Sequence, residues 1–186
     1  MDLELVAAFQ AAPRSFFLPP NQKRFAKVDA PLPIGFGVTN SQPTTVADML
    51  TLLEVQGGQR VLDVGSGSGW TSALLAELVG PSGSVLAVER VPELVSRSRE
   101  VLEGWPNVEV FEATPGVFGL PEQGPFDRIL VSAMADEIPQ DLVNQLKPGG
   151  LMVVPVASRM LRVVREASGN VAVTSHGLYS FVPLLP

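Results

Sequence analysis

The chain has 186 residues, of which 46% are apolar and 17% charged, and its formal net charge is −6. This length and apolar content predict one globular domain and exclude a highly charged disordered chain. An acidic balance argues against a nucleic-acid binder, which normally carries a basic face. Because the sequence contains no cysteine, disulfides and thiolate metal sites are excluded, and we expect no bound metal.

The amino-terminal ten residues carry acids where an export signal would carry lysine or arginine. The apolar runs, such as residues 151–156, are far shorter than the roughly 20 residues that cross a bilayer. We therefore expect no membrane association and a cytoplasmic location. The sequence leaves the oligomeric state open.

The first predicted element is a short helix that ends before Pro13, because apolar residues at near-helical spacing precede that proline. Residues 13–43 contain six prolines and are predicted to form a long irregular loop over the surface. A loop of this length inside a compact domain is usually functional. The apolar spacing between Val46 and Leu53 then predicts an amphipathic helix.

Five short apolar runs follow, and helical stretches separate most of them. They are residues 60–64, 84–89, 108–111, 128–131 and 151–156. Alternation of this kind, with runs that are apolar throughout, is typical of strands buried on both faces of a parallel sheet. Residues 162–166 and 171–174, joined by a Ser-Gly-Asn turn, predict an antiparallel hairpin, and residues 181–184 are a candidate last strand.

The turn after the first of these runs is rich in glycine. Asp63 precedes it, and its members are Gly65, Ser66, Gly67, Ser68 and Gly69. Alternating glycines let the backbone approach a ligand at the carboxyl end of a strand, and the helix that follows offers free N–H donors. The dinucleotide fingerprint has a different glycine spacing, and Asp63 would repel a pyrophosphate but attract an ammonium group.

This acidic, alternating-glycine turn resembles that of S-adenosylmethionine (SAM)-dependent methyltransferases, which implies SAM as cofactor and S-adenosylhomocysteine as product. Glu89 ends the next strand, 26 residues after Asp63, where an acid can accept hydrogen bonds from both ribose hydroxyls. Arg90, which follows Glu89, is assigned to the same cofactor site. The alternative is that the turn and the acid are general features of a doubly wound sheet that binds no cofactor.

The proline-rich segment carries a second set of motifs. Ala12-Pro13-Arg14 comes first, PLPIG occupies residues 31–35, and GVTNSQP occupies residues 37–43. Their order resembles that of protein-L-isoaspartate O-methyltransferases, and PFDRILVSA, LVNQLKPGG, LMVVPV and FVPL extend the resemblance over nearly the whole chain. The resemblance implies methylation of the α-carboxylate that is exposed when aspartate or asparagine isomerises, so the expected partner is a damaged protein or peptide.

By this resemblance, Ser41 would contact or orient the acceptor carboxylate, and Thr39 and Asn40 would help to cover the cofactor. Because a carboxylate is already ionised, alignment of the reactants matters more than a general base or a metal. The alternative for Ser41 is a cap or turn residue, since Gln42-Pro43 and a helix follow it.

Among the departures from the family pattern, two concern residues assigned to the site. Where the family usually has Gly-Asp-Gly, with an aspartate implied to bind adenine, this chain aligns Thr114, Pro115 and Gly116. Adenine would then be held by backbone carbonyls, by Thr114 or by a neighbour such as Glu112. In addition, Val38 and Asn40 replace the usual glutamine and isoleucine near Ser41.

The sequence therefore predicts an α/β, Rossmann-like methyltransferase fold, with a mostly parallel sheet, helices on both faces and a C-terminal antiparallel hairpin. In a single domain, residues 1–43 would cover the substrate and cofactor, residues 44–156 would form the SAM-binding core, and residues 157–186 would form a C-terminal β region. The expected function is carboxyl methylation of L-isoaspartyl residues. The alternatives are methylation of a different acceptor, or a catalytically weak binding module that retains the fold.

Overall fold

The structure, a computed structural model, describes residues 3–186. The amino-terminal part begins with helix α1 (Leu3–Ala11) and ends with helix α2 (Pro43–Leu53). Between them the predicted irregular loop is more ordered than expected. It contains two 3₁₀ turns, Arg14–Phe17 and Lys23–Phe25, and an antiparallel hairpin whose strands are β1 (Leu32–Gly35) and β2 (Val38–Asn40).

A second sheet, built from strands in the rest of the described chain, forms the body of the molecule. Its strands are β3 (Arg60–Val64), β4 (Ser84–Glu89), β5 (Val108–Glu112), β6 (Phe126–Val131), β7 (Leu146–Val156), β8 (Arg159–Arg165) and β9 (Val171–Leu178). Three helices lie between these strands: α3 (Trp70–Val79), α4 (Pro92–Val101) and α5 (Gln140–Asn144). The strand order is β5-β4-β3-β6-β7-β8-β9. The first five strands in this order are parallel to one another, whereas β8 is antiparallel to its two neighbours, β7 and β9.

The predicted fold class is confirmed. The strand order reverses at β3, which lies between β4 and β6, and ligands of open α/β sheets bind at the carboxyl ends of the strands at such a point. The candidate last strand at residues 181–184 was wrong. Pro183 makes an isolated bridge to Met134 and joins no strand, because proline lacks the N–H that a ladder needs.

Alternate residues of the parallel strands face two apolar layers. Val61, Ala87 and Leu130 pack in one layer with α1, α2 and α3, whereas Leu62 and Ile129 pack in the other with α5. This two-sided burial holds the strand ends rigidly, so the loops that follow them have fixed starting points. No helix within residues 3–186 is long and apolar enough to span a membrane.

Candidate active site

Two adjacent hollows open at the carboxyl ends of β3, β4 and β6. The larger, called the cleft below, has a volume of about 280 Å³, and the smaller, called the small cavity, about 30 Å³. They share four lining residues, which are Thr39, Gly65, Gly67 and Ser132. The glycine turn therefore separates two parts of a single site.

Residues from six places along the chain line the cleft. They are residues 36–39 of the β1–β2 hairpin, 64, 65 and 67 at the end of β3 and in the turn, 88–91 at the end of β4 and just after it, 113 and 117–119 after β5, 132 and 133 after β6, and 182–185 of the tail. Of the residues assigned from the sequence, Thr39, Gly65, Gly67, Glu89 and Arg90 are in this set. The small cavity is lined by Asn40, Ser41, Ser66 and Ser68.

The glycine turn has a backbone that only glycine adopts easily. Gly65, Gly67 and Gly69 all have positive φ angles, and the N–H groups of Gly65 and Ser66 donate to the carbonyl of Val88 at 2.9 and 3.1 Å. At Gly69, which lines neither hollow, a Cβ atom would lie 2.8 Å from Leu102 Cδ1. The turn is therefore held close to both β4 and the segment after α4.

Glu89 is fixed at the base of the cleft by three backbone donors. Its side chain is 6% exposed. Oε2 accepts from the N–H of Gly67 at 2.8 Å, and Oε1 accepts from the N–H groups of Arg90 and Val91 at 2.7 and 2.9 Å. Since each carboxylate oxygen has two acceptor positions, Oε1 is fully used and Oε2 retains one position for a hydroxyl donor from a ligand in the cleft.

Asp63 lies behind the turn and is completely buried. Its Oδ2 accepts hydrogen bonds from Thr71 Oγ1 at 2.7 Å and from Ser72 Oγ at 2.6 Å. Burial raises the pKa of this carboxyl group from 3.8 to about 6, against the effect of the two hydroxyl donors and in the same direction as the nearby Glu89 charge. Asp63 lines neither hollow, so any effect on a ligand acts from beneath the turn.

Two buried polar atoms at the turn have no hydrogen-bond partner within residues 3–186, namely Asp63 Oδ1 and Ser66 Oγ. An unpaired buried polar group costs about 1–3 kcal/mol, so such atoms are rare unless a ligand completes them. The carboxylate can accept from an ammonium group and the hydroxyl can bond a carboxylate, and the amino-acid end of SAM carries both. The residues present therefore fit the expected cofactor.

Arg14 organises the loop that carries Ser41, a role that sequence reasoning missed. Its guanidinium donates to the carbonyls of Val28, Ala30, Asn40 and Ser41 at 2.8–3.0 Å and to Asn40 Oδ1 at 2.6 Å. Burial lowers the pKa of Arg14 to about 10, partly offset by the Asp29 charge, so the group stays protonated at neutral pH. The signal available in the sequence was its place in the Pro13-Arg14 motif.

Ser41 does not cap the helix that follows it. The N-cap residue of α2 is Gln42. The N–H of Thr44, which has no acceptor within the helix, donates to Asp29 Oδ1 at 2.9 Å. Within residues 3–186 the Ser41 hydroxyl has no hydrogen-bond partner, whereas its carbonyl is held by Arg14. The hydroxyl is therefore free to bond a ligand in the small cavity.

The segment assigned to adenine lies differently from the expectation. Thr114 and Pro115 are exposed and line neither hollow, and Gly116 lines a separate surface pocket beside Gln145. Their neighbours Ala113, Val117 and Phe118 line the cleft instead. The turn thus offers the cleft apolar surface rather than the polar triplet.

The C-terminal tail and the segment after β6 complete the cleft, and neither was singled out as a site from the sequence. The N–H of Met134 donates to the Val182 carbonyl and the N–H of Leu184 donates to the Met134 carbonyl, both at 2.7 Å. These bonds hold residues 182–185 against the cleft. No short motif marks them, because their position depends on tertiary contacts across about 50 residues of chain.

Comparisons with known proteins agree with one another. The family model for protein-L-isoaspartate(D-aspartate) O-methyltransferase matches residues 2–186. The chain is 42% identical to the protein-L-isoaspartate O-methyltransferase of Methanococcoides burtonii, over 99% of this chain and 93% of that protein. It is 45% identical to the enzyme of that name from Thermococcus onnurineus, over 96% of this chain and 83% of the relative.

Solved structures give the same result. A Plasmodium falciparum protein, named as a protein-L-isoaspartate O-methyltransferase and crystallised with S-adenosylhomocysteine, superposes with a TM-score of 0.84 at 25% identity, over 98% of this chain and 90% of that one. A second structure of that name has a TM-score of 0.87 at 27% identity, over 98% of this chain and 61% of that one.

Proposed function

This chain belongs to the protein-L-isoaspartate O-methyltransferase family, and we propose that it transfers the methyl group of SAM to the α-carboxylate of L-isoaspartyl residues in damaged proteins or peptides. One observation carries the proposal. The unpaired Ser41 hydroxyl lies in the small cavity, directly across the glycine turn from the cleft in which Glu89 is held.

The proposed binding roles follow from what each residue offers. Ser66 would bond the carboxylate of the cofactor's amino-acid end, and the Asp63 charge would attract its ammonium group from beneath the turn. Glu89 Oε2 would accept from a ribose hydroxyl, and the apolar surface of Val117 and Phe118 would face the adenine. When bound, SAM supplies a methyl group on an electrophilic sulfonium.

The chain itself has to orient the acceptor and exclude water. The acceptor carboxylate is already ionised at neutral pH, because an unperturbed carboxyl has a pKa of about 4. A single hydroxyl donor at Ser41 is then enough to direct one of its oxygens, and alignment of this kind accounts for much of the rate of two-substrate reactions. The hairpin and the tail line the cleft, where they would displace water from the bound reactants.

The activity is tested with labelled SAM and a peptide that contains one isoaspartyl residue, beside the same peptide with normal aspartate. We expect base-labile methyl ester on the first peptide alone. If S-adenosylhomocysteine binds but neither peptide is methylated, while a relative works in parallel, the acceptor assignment is wrong.

The role of Ser41 is tested by Ser41→Ala. We expect turnover on the isoaspartyl peptide to fall about tenfold or more, from loss of a hydrogen bond to a charged group, while the affinity for S-adenosylhomocysteine stays nearly constant. Ser96→Ala is a matched control, because Ser96 is exposed and its hydroxyl bonds only the Pro92 carbonyl. Unchanged turnover in Ser41→Ala would remove this residue from the site.

A further inference from the structure

Within residues 3–186, Asn40 is the one side chain that makes hydrogen bonds both to Arg14 and to the glycine turn. It ends strand β2 next to Ser41 and is only 4% exposed. Its Oδ1 accepts from Arg14 Nε at 2.6 Å, and its Nδ2 donates to Ser68 Oγ at 3.1 Å. One amide therefore connects the loop that carries the acceptor serine to the turn that carries the cofactor.

The direction of this chain of hydrogen bonds is determined by chemistry. A guanidinium has N–H donors and no acceptor, so the amide atom that faces Arg14 must be the oxygen. The amide nitrogen then faces Ser68, and the Ser68 oxygen must accept from it. With that oxygen position used by Asn40, the Ser68 hydroxyl hydrogen has to point elsewhere.

The small cavity is where that hydrogen can find an acceptor. Ser68 lines two hollows, of which one is a pocket beside Leu94 and the other is the small cavity that it shares with Ser41. The small cavity is the relevant one, because the hydroxyl of the acceptor serine is there. No other hydrogen bond is made by the Ser68 side chain in the described part of the chain. An anion in this cavity would therefore meet a hydroxyl donor whose orientation is set from Arg14 through Asn40.

We propose that Asn40 is a positioning residue that orients the Ser68 hydroxyl as a donor to a carboxylate in the small cavity. The inference rests on the proposed function, which brings two carboxylates to this site, that of the cofactor's methionine end and that of the acceptor. Both offer the same chemistry, and binding measurements separate them. The Ser68 hydroxyl touches the carboxylate, whereas Asn40 acts through it.

Asn40→Asp is the sharpest perturbation, because it changes one donor into an acceptor at nearly constant shape. The new carboxylate still accepts from Arg14, so the loop keeps its anchor. Its second oxygen now faces Ser68 and accepts from the hydroxyl, which reverses the hydroxyl and removes the donor from the small cavity. The expected result equals that of Ser68→Ala, which removes the hydroxyl itself.

The affected carboxylate is identified by two measurements on each variant. Calorimetry gives the affinity for S-adenosylhomocysteine and for 5′-methylthioadenosine, which lacks the amino-acid end. Steady-state methylation at saturating SAM gives KM and kcat for the isoaspartyl peptide. A loss of about tenfold or more for S-adenosylhomocysteine alone assigns the bond to the cofactor, and a rise of that size in peptide KM alone assigns it to the acceptor.

The double variant separates orientation from a structural role. If Asn40 acts through Ser68, the combined substitutions cause the same loss as either one, whereas independent structural effects multiply. Asn144→Asp and Ser96→Ala, both at exposed helix positions, control for the added charge and for the lost hydroxyl.

Multiplying effects, or no change in either affinity or KM, would overturn the proposal. The calorimetric measurement needs no methyl transfer. It therefore tests the role of Asn40 toward the cofactor even if the isoaspartyl peptide is not the acceptor.

Discussion

The buried carboxylate of Asp63 should make the ligand-free protein less stable as the pH rises. The pKa of Asp63 in the folded chain is about 6 rather than 3.8, so between these values the folded state holds a proton that the unfolded state has lost. Stability falls with rising pH wherever the folded state binds more protons. The penalty is absent below the lower value and complete above the upper one.

Its size follows from the two pKa values. A rise from 3.8 to about 6 corresponds to about 3 kcal/mol, at about 1.4 kcal/mol per pKa unit. Asn in place of Asp63 keeps the shape and one acceptor oxygen but cannot ionise. The unfolding free energy of Asp63→Asn minus that of the wild type should therefore increase by about 3 kcal/mol as the pH rises from about 4 to about 7.5.

Denaturant unfolding of both proteins without ligand, across this pH range, measures the difference directly. Asp136→Asn makes the same chemical change at an exposed position and serves as the control. Asp63→Asn should also bind S-adenosylhomocysteine about tenfold or more weakly than the wild type, because the negative charge that attracts the cofactor's ammonium group is lost. A stability difference between Asp63→Asn and wild type that does not change with pH would refute the reasoning.

Three further predictions concern the site. Glu89→Gln should weaken S-adenosylhomocysteine binding about tenfold or more in calorimetry, because one carboxylate oxygen becomes an amide that cannot accept; equal affinity would exclude it from the cofactor site. Gly69→Ala should cost about 1–3 kcal/mol in denaturant unfolding, since φ is 89° and Leu102 blocks the added methyl group, whereas Gly104→Ala has open space and should cost less. Arg14→Lys keeps the positive charge but loses the several N–H donors of the guanidinium, so the rate of peptide methylation should fall several-fold. Full activity would show that the loop keeps its conformation without these hydrogen bonds.

The central sheet was largely predictable because its signals are local. Strands β3 and β4 have the predicted bounds, since a run buried on both faces reads as continuous apolar sequence. The glycine turn was predictable for a similar reason, because positive φ angles at alternate positions require glycine in the sequence itself. The turn and Glu89 line the cleft at the carboxyl ends of β3 and β4, as the order of strands implies.

Elements that depend on distant contacts were not predictable in the same way. The β1–β2 hairpin has strands of four and three residues, one of them with a proline. It is stabilised by Arg14, which bonds Asn40, and by Arg97, which bonds the Ile34 carbonyl, rather than by its own pattern. Residues 181–184 looked like a strand by composition, but their partner is the loop at Met134.

The adenine segment shows the limit of alignment by motif. Counting residues placed Thr114, Pro115 and Gly116 at the expected triplet, but the turn after β5 presents its flanking apolar residues to the cleft. A sequence gives the order of residues along a turn, whereas the side of the turn that faces a ligand depends on the backbone angles. The contacts that the adenine makes in this chain therefore stay a prediction.

The anchoring of the acceptor loop has a consequence for how this enzyme can evolve. Among the described residues, the Arg14 side chain donates hydrogen bonds within residues 28–41, and Asp29 accepts from Gln42 and Thr44. The stretch from residue 14 to residue 44 is also fixed to helix α4, because Leu32 and Ile34 pack with Leu94 and Arg97 donates to the Ile34 carbonyl. Asn40 joins it to the turn by a single amide. The stretch therefore cannot be exchanged as a unit. Acceptor preference can change through its exposed residues, whereas the hydrogen bonds among Arg14, Asn40 and Ser68 and the packing on α4 have to be inherited together.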